Sequence, residues 1–122
     1  MPSPNFVLLY VGSPEASGAF YAKLLERQPV ETSPTFVMFA LENGVMLGLW
    51  SRHTVEPAAS AAGGGAEFAF TVEPAALDAT FAAWKQRGIA ILQQPTDMDF
   101  GRTFVGLDPD GHRLRVFSPS GQ

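Results

Sequence analysis

The chain has 122 residues, 46% hydrophobic and 16% charged, which is enough apolar material to fill the core of one domain. Eight basic residues against twelve acidic ones give a net charge of −4, which disfavours nucleic acid and membrane surfaces as partners. The absence of cysteine excludes disulfides, thiolate metal sites and a cysteine nucleophile. The sequence shows no secretory signal pattern and no apolar run of the ~20 residues that span a bilayer, so we expect a soluble, cytoplasmic protein.

The first half of the sequence predicts a strand, a helix and a hairpin. Residues 6–11 (FVLLYV) are typical of a buried strand. Ser13-Pro14 then predicts a helix start, and apolar residues at three- and four-residue spacing continue the helix to about Arg27. The next two apolar runs predict strands joined by Asn43-Gly44, a strong hairpin signal. They cover residues 35–41 and 45–50.

The second half repeats this order after an Ala-, Pro- and Gly-rich segment, residues 53–65, which predicts a flexible connector. Residues 67–72 predict a strand, and Glu73-Pro74 predicts the start of a helix with Trp84 on its apolar face. Residues 89–93 predict a short strand, after which residues 102–117 predict a hairpin around Asp-Pro-Asp-Gly.

The two halves match each other motif by motif. Ser13-Pro14 corresponds to Glu73-Pro74, and Asn43-Gly44 corresponds to Asp110-Gly111, with the second copy longer in the segment 94–101. One such unit is too small to form a core of its own on both faces of a sheet. We therefore predict an α+β fold of two βαβββ repeats whose curved mixed sheets surround a cleft, with the helices on the outer faces. The predicted repeats cover residues 1–52 and 66–122.

This doubled unit resembles the vicinal oxygen chelate superfamily, which includes glyoxalase I, the extradiol dioxygenases and the bleomycin-resistance-type binding proteins. The stretches VGSPEASGAFYAKLL and GRTFVGLDPDGHRLRVF carry the resemblance. In the metal-dependent members, the first and last strands of each repeat supply His, Gln or Glu ligands. The resemblance places these positions at Phe6, Gly48, Glu67 and Arg115. Since only Glu67 can bind a divalent metal, the resemblance implies a metal-free member without a cofactor.

An ion pair is the expected substitute for the metal. If Glu67 and Arg115 occupy two converging ligand positions, their side chains meet in the cleft and pair bidentately. The alternative is an exposed charged pair at a sheet edge, which would contribute only ~0–1 kcal/mol. In the cleft, Arg115 could also anchor an anionic or carbonyl group of a ligand, and Glu67 a cationic one.

Strand alternation predicts which other side chains line the cleft. Phe100 lies in the longer segment of the second repeat, where it acts as a lid or stacking residue or else is tucked under the hairpin. Trp84 is assigned to the core. The candidate ligand-binding residues are Phe6, Tyr10, Met46, Trp50, Glu67, Phe100, Arg115 and Phe117.

Two functions remain open, with a third in which the fold has lost its small-molecule role. The first is a metal-free binding protein of the bleomycin-resistance type, which sequesters a planar or aromatic ligand such as an antibiotic. The second is a lyase, isomerase or oxygenase of the glyoxalase or dioxygenase type. It would use an atypical or displaced metal site from His53, His112 and Glu67, or Glu67 as a base with a raised pKa and Arg115 as an oxyanion anchor. For either function we expect a homodimer.

Overall fold

The strands and helices follow the predicted repeat. The computed structural model describes residues 2–60 and 63–120; positions 61 and 62 of the predicted connector, and positions 1, 121 and 122 of the predicted repeats, lie outside this range. The elements are β1 (Phe6–Val11), α1 (Pro14–Leu25), β2 (Glu31–Thr32), β3 (Phe36–Ala40), β4 (Met46–Ser51), β5 (Glu67–Thr71), α2 (Leu77–Gln86), β6 (Ala90–Met98), β7 (Gly101–Leu107) and β8 (Arg113–Pro119).

Both sheets have the same strand order. The first sheet is ordered β1-β4-β3-β2 and the second β5-β8-β7-β6. In each sheet the first strand pairs parallel with the last, and the remaining pairs are antiparallel. The α+β class and the two βαβββ repeats are therefore confirmed. The chain divides into two compact units, residues 1–61 and 62–122.

In the first unit, α1 begins where the sequence predicts. Ser13 is the N-cap, and its hydroxyl accepts a hydrogen bond from the Ala16 N–H at 3.1 Å. Pro14 is the first residue of the helix. The helix packs on β3 and β4, and its Tyr21 is fully buried. The core on this side of the sheet consists of Val11, Val37, Phe39, Leu47 and Leu49. The predicted connector starts with a turn in which Val55 is buried and donates to the Ser51 carbonyl at 3.0 Å.

The second helix starts later than the sequence predicts. A 3₁₀ turn (Pro74–Ala76) precedes α2, and the side chain of Glu73 makes no capping hydrogen bond. This differs from the first repeat, where a serine hydroxyl caps the helix directly. Trp84 lies in the core as expected, with its ring edge-on to Phe104 at a centroid distance of 5.1 Å. Neither helix in the described part of the chain is long and apolar enough to cross a membrane.

The strand predicted at residues 89–93 is too short. In the structure β6 continues to Met98, and its last three residues pair with the first three of β7, so the segment 94–101 extends a hairpin. Pro95 is tolerated because β6 is an edge strand and its register with β7 shifts at this point. The short strand β2 (Glu31–Thr32) is an addition that the sequence did not reveal.

Gly101 at the end of this hairpin provides a test of the fold. Its φ is +141°, and a Cβ at this position would lie 2.0 Å from the Ser118 carbonyl oxygen. We expect Gly101→Ala to lower the free energy of unfolding by at least about 2 kcal/mol. A Cβ on Gly65 would have no neighbour within 4 Å, so Gly65→Ala should change it by less than about 0.5 kcal/mol. Urea denaturation followed by circular dichroism measures the free energy of unfolding of both variants. Equal losses would contradict the close approach of Gly101 to Ser118.

Candidate ligand-binding site

Four of the predicted site residues form two cross-strand pairs on the first sheet. Phe6 lies opposite Met46, and Tyr10 lies opposite Trp50. Phe6 is 43% exposed and Tyr10 38% exposed, whereas Met46 and Trp50 are half-buried. The alternate side chains of these strands face the core, where Val11, Leu47 and Leu49 are buried and Val7 and Leu9 are half-buried. The predicted alternation is confirmed, and it leaves an apolar sheet face on the side opposite the helix.

Gly48, the closing-strand position of the first repeat, is covered by apolar side chains. A Cβ built on Gly48 would lie 2.7 Å from Leu8 Cδ2 and 2.8 Å from Phe36 Cζ. The Phe36 ring also meets Trp50 edge-on, with the centroids 6.2 Å apart. Sequence reasoning missed Phe36. The sequence does carry a signal for it, since Phe36 alternates along the strand with the core residues Val37 and Phe39. This alternation places Phe36 on the same face as Trp50.

On the second sheet, β7 and β8 are joined by a turn that the buried Asp108 holds together. The Asp108 carboxylate accepts hydrogen bonds from the backbone N–H groups of Asp110 and His112, both at 2.9 Å. Gly111 closes the turn at a φ of +84°, which favours glycine. With the turn held in this way, Arg115 and the other odd-numbered side chains of β8 point to the face opposite α2, while Leu114 and Val116 are buried.

Glu67 and Arg115 form the predicted bidentate ion pair. Arg115 Nε donates to Glu67 Oε1 at 2.7 Å, and Arg115 Nη2 donates to Oε2 at 2.9 Å. In the sheet register Glu67 lies opposite Arg113, so Arg115 reaches it diagonally across β5 and β8. The side chain of Arg115 is 19% exposed and that of Glu67 32% exposed, and the pair is therefore partly screened from water.

Thr103 is a third partner of Arg115 that sequence reasoning did not find. Its hydroxyl accepts a hydrogen bond from Arg115 Nη1 at 3.1 Å and donates one to the Val116 carbonyl at 2.8 Å. Thr103 is fully buried and lies opposite Phe117 in the register of β7 and β8. The hairpin around Asp108 predicts the pairing of these strands, but the contact with Arg115 depends on side-chain conformation.

Phe100 lies beside the same guanidinium. The Arg115 Cζ is 5.8 Å from the Phe100 ring centroid, which in turn is 6.0 Å from that of Phe117. The Phe100 side chain is 43% exposed, so the alternative that it is tucked under the hairpin is wrong. Its carbonyl accepts a hydrogen bond from the Ser120 N–H at 2.9 Å, which ties the hairpin tip to the end of β8.

The ion pair stabilises the charged forms of both side chains. The hydrogen bonds from Arg115 lower the pKa of Glu67 against a smaller opposing effect of desolvation, and the charges of Arg115 and Arg113 lower it further. The hydrogen bond to Glu67 raises the pKa of Arg115. Glu67 is therefore a weak base, and the alternative in which burial raises its pKa for catalysis is wrong.

The residues at the four ligand positions do not fit a divalent metal. Phe6 and Gly48 offer no donor atom, Arg115 is a permanent cation, and both oxygens of Glu67 accept hydrogen bonds from it. Across residues 2–60 and 63–120, no three His, Asp or Glu side chains are grouped so that they could hold a metal ion. The alternative set of His53, His112 and Glu67 is therefore not grouped as a metal site either.

Fold, repeat and site together define a glyoxalase-like protein. The family profile of the Glyoxalase/Bleomycin resistance protein/Dioxygenase superfamily matches residues 3–116, and the chain belongs to this superfamily. The chain is 32% identical to the phenazine antibiotic resistance protein EhpR of Enterobacter agglomerans over 117 residues, which cover 93% of this chain and 90% of EhpR.

Solved structures agree with this assignment. The solution NMR structure of protein ATC0852 from Agrobacterium tumefaciens has a TM-score of 0.91 at 58% identity, covering 99% of this chain and 100% of that one. The crystal structure of a glyoxalase/bleomycin resistance protein/dioxygenase from Nocardioides has a TM-score of 0.85 at 26% identity, covering 100% of this chain and 87% of that one.

The lowered pKa of Glu67 predicts how the stability of the protein depends on pH. The ion pair stabilises the fold above the pKa of an unfolded glutamate, about 4.3, and this contribution disappears as the pH falls through the lower pKa of the folded state. We expect Glu67→Gln to reduce the free energy of unfolding by about 1 kcal/mol between pH 5 and 8. The difference from wild type should shrink steadily below about pH 4. Urea denaturation across this pH range measures it.

Glu42→Gln serves as the control for this series. Glu42 pairs with Arg27 at 3.2 Å, but its side chain is 89% exposed. The variant should therefore change the free energy of unfolding by less than about 0.5 kcal/mol at every pH. A Glu67→Gln effect that is equally small, or that grows as the pH falls, would contradict the stabilising role of the Glu67–Arg115 pair.

Proposed function

We propose that this protein binds and sequesters a planar, aromatic small molecule without a metal, in the manner of the bleomycin-resistance-type members of its superfamily. The observation that carries the proposal is the Glu67–Arg115 ion pair, which occupies the two ligand positions of the second repeat. In the first repeat, the corresponding positions hold Phe6 and a glycine covered by Leu8 and Phe36. These side chains suit an apolar ligand better than a cation.

The apolar face of the first sheet supports an aromatic ligand. Phe6 and Tyr10 are exposed, and the half-buried Trp50 is held edge-on by Phe36. Aromatic side chains offer large and rigid surfaces on which a planar ring stacks at little cost in conformational entropy. Removing such surfaces from water is the main favourable contribution to binding an apolar molecule.

The similarity to EhpR supports an antibiotic as the ligand. EhpR is a phenazine antibiotic resistance protein, and the similarity extends over 93% of this chain. Phenazine is a planar, three-ring aromatic molecule, which is the shape that the exposed aromatic side chains favour. We therefore propose a ligand of this class, bound without chemical change.

Binding is favoured over the alternative of a lyase, isomerase or oxygenase. Members that catalyse such reactions with a metal need ligands that the positions of Phe6, Gly48 and Arg115 do not supply. Acid–base chemistry without a metal would need a base with a pKa near neutrality, and the pKa of Glu67 is lowered. Both observations support sequestration without turnover.

We also propose that the protein is a homodimer. The strand β1 lies at the edge of its sheet, and it presents Phe6, Leu8 and Tyr10 to solvent. An exposed apolar edge strand is a surface that proteins commonly cover by association with another chain. A symmetric dimer would pair the backbone edge of β1 in both copies and leave the sheet face with Phe6 and Tyr10 for the ligand.

A titration with phenazine tests the proposed binding. Trp50→Ala removes one stacking surface and should weaken binding about tenfold, which corresponds to ~1.4 kcal/mol. Val30→Ala is the matched control, because Val30 is 59% exposed and precedes β2 on another part of the first unit. Isothermal titration calorimetry measures the affinities, and mass spectrometry should recover the phenazine unchanged. Equal affinities in wild type and Trp50→Ala, or a chemically converted phenazine, would contradict the proposal.

A metal titration tests the metal-free part of the proposal. Chelator-treated protein should show no binding of Zn(II), Ni(II), Mn(II) or anaerobic Fe(II) at sub-micromolar affinity, because Glu67 is engaged by Arg115. Calorimetry measures this directly. Sub-micromolar binding of one metal ion per chain would overturn the metal-free proposal and favour the enzyme.

A further inference from the structure

We infer that the ligand carries a carboxylate or a similar planar anion, and that Arg115 is the residue that binds it. The inference rests on the proposed function, because it specifies the chemistry of the aromatic molecule that the protein sequesters. It starts from the hydrogen-bonding capacity of one side chain. A guanidinium has five N–H donors, and Arg115 uses three of them, one on each nitrogen, for Glu67 and Thr103.

The two remaining N–H groups of Arg115 have no hydrogen-bond partner among the described residues, and their direction is fixed. Glu67 holds one edge of the guanidinium through two hydrogen bonds, and the buried Thr103 holds Nη1. The Phe100 ring lies against the same group at 5.8 Å. Donors held in this way lose little conformational entropy when they bind an acceptor, and a carboxylate is a strong acceptor for a guanidinium.

The charges on this face of the second sheet favour an anion. Arg113 and Arg115 point to the face opposite α2, and Glu67 is the acidic residue that balances one of them. Arg113 is close enough to Glu67 to lower the pKa of its carboxyl group. The local charge is therefore positive, although the chain as a whole has a net charge of −4. A cationic ligand would meet two guanidiniums and a carboxylate whose two oxygens are already engaged.

Two acidic side chains of the second unit, Asp78 and Asp97, lie on the other face of the sheet. Asp97 on β6 pairs with Arg102 at 3.0 Å, and Asp78 on α2 pairs with the same arginine at 3.2 Å. Arg102 is adjacent to Thr103 in β7 and so points to the opposite face of the sheet, towards α2. Both acidic groups share Arg102 as their ion-pair partner on the helix side, away from Arg115.

Phe100 and Phe117 beside the anchor provide a stacking surface on the second sheet, in addition to the one on the first sheet. Phe100 is 43% exposed, and it contacts both Arg115 and the half-buried Phe117. An aromatic acid would place its carboxylate on Arg115 and its ring against Phe100. A neutral aromatic molecule would gain the ring contact and leave the two N–H groups of Arg115 to water.

The test compares two phenazines that differ in charge. Wild-type protein is titrated by calorimetry with phenazine-1-carboxylate and with the neutral phenazine-1-carboxamide at pH 7. We expect the carboxylate to bind roughly tenfold more tightly, which is the lower end of the range for hydrogen bonds to charged groups at a partly exposed site. The Arg115→Met variant should bind both probes equally, because it lacks the guanidinium that distinguishes them. Arg115→Lys, which keeps the charge but not the guanidinium donors, should reduce the preference to about twofold.

Arg102→Lys is the matched control and should keep the full preference, since Arg102 lies on the other face of the sheet. Circular dichroism establishes that each variant is folded, and Arg115→Lys alone decides the test if Arg115→Met does not fold. Equal binding of both probes to wild type would overturn the inference and leave the proposed function intact. So would a preference that persists unchanged in the folded Arg115 variants. Failure of both probes to bind would contradict the proposed function and this inference with it.

Discussion

Neighbouring side chains of a strand point to opposite faces of a sheet, and this constraint governs both units of the protein. Each four-stranded sheet has a single helix to cover it, α1 in the first unit and α2 in the second. The helix-facing side chains of the strands, which include Phe39 and Phe104, form the cores together with Tyr21 and Trp84 of the helices. The alternate side chains are left on the other face. Every candidate site residue that lies on a strand is on this other face, because the helix-facing side chains are already packed in the core.

The Glu67–Arg115 pair sets the chemistry of the open face in the second unit. It neutralises one charge, keeps Glu67 ionised and orients the guanidinium. Thr103 accepts a hydrogen bond from the third guanidinium nitrogen, Nη1. A metal at the equivalent position in related proteins would bring several side chains together around one cation. Here a permanently charged side chain has that role, and it differs from a metal in offering donors rather than empty coordination positions. The proposed recognition of an acceptor group rests on these donors.

Membership of the superfamily determines the scaffold and leaves the activity open, because the same fold carries enzymes and binding proteins. At three of the four positions where the resemblance places metal ligands, this chain has Phe6, Gly48 and Arg115, none of which suits a divalent metal. Leu8 and Phe36 also fill the space above Gly48. We propose that these few residues decide the class of ligand, while the scaffold is that of the superfamily.

Local signals in the sequence were sufficient for the order of the elements and for the faces of the strands. Ser13-Pro14, Asn43-Gly44 and the Asp108 turn act over a few residues, and apolar alternation separates core from open face, so the repeat could be predicted without tertiary information. The Glu67–Arg115 pair could be predicted only through the resemblance to a known family. Three features depend on which strands pair and on the side-chain conformations between them. They are the continuation of β6 past Pro95, the apolar side chains over Gly48 and the hydrogen bond from Arg115 to Thr103. Those contacts join residues far apart in the chain, and their geometry exists only once the sheets have formed.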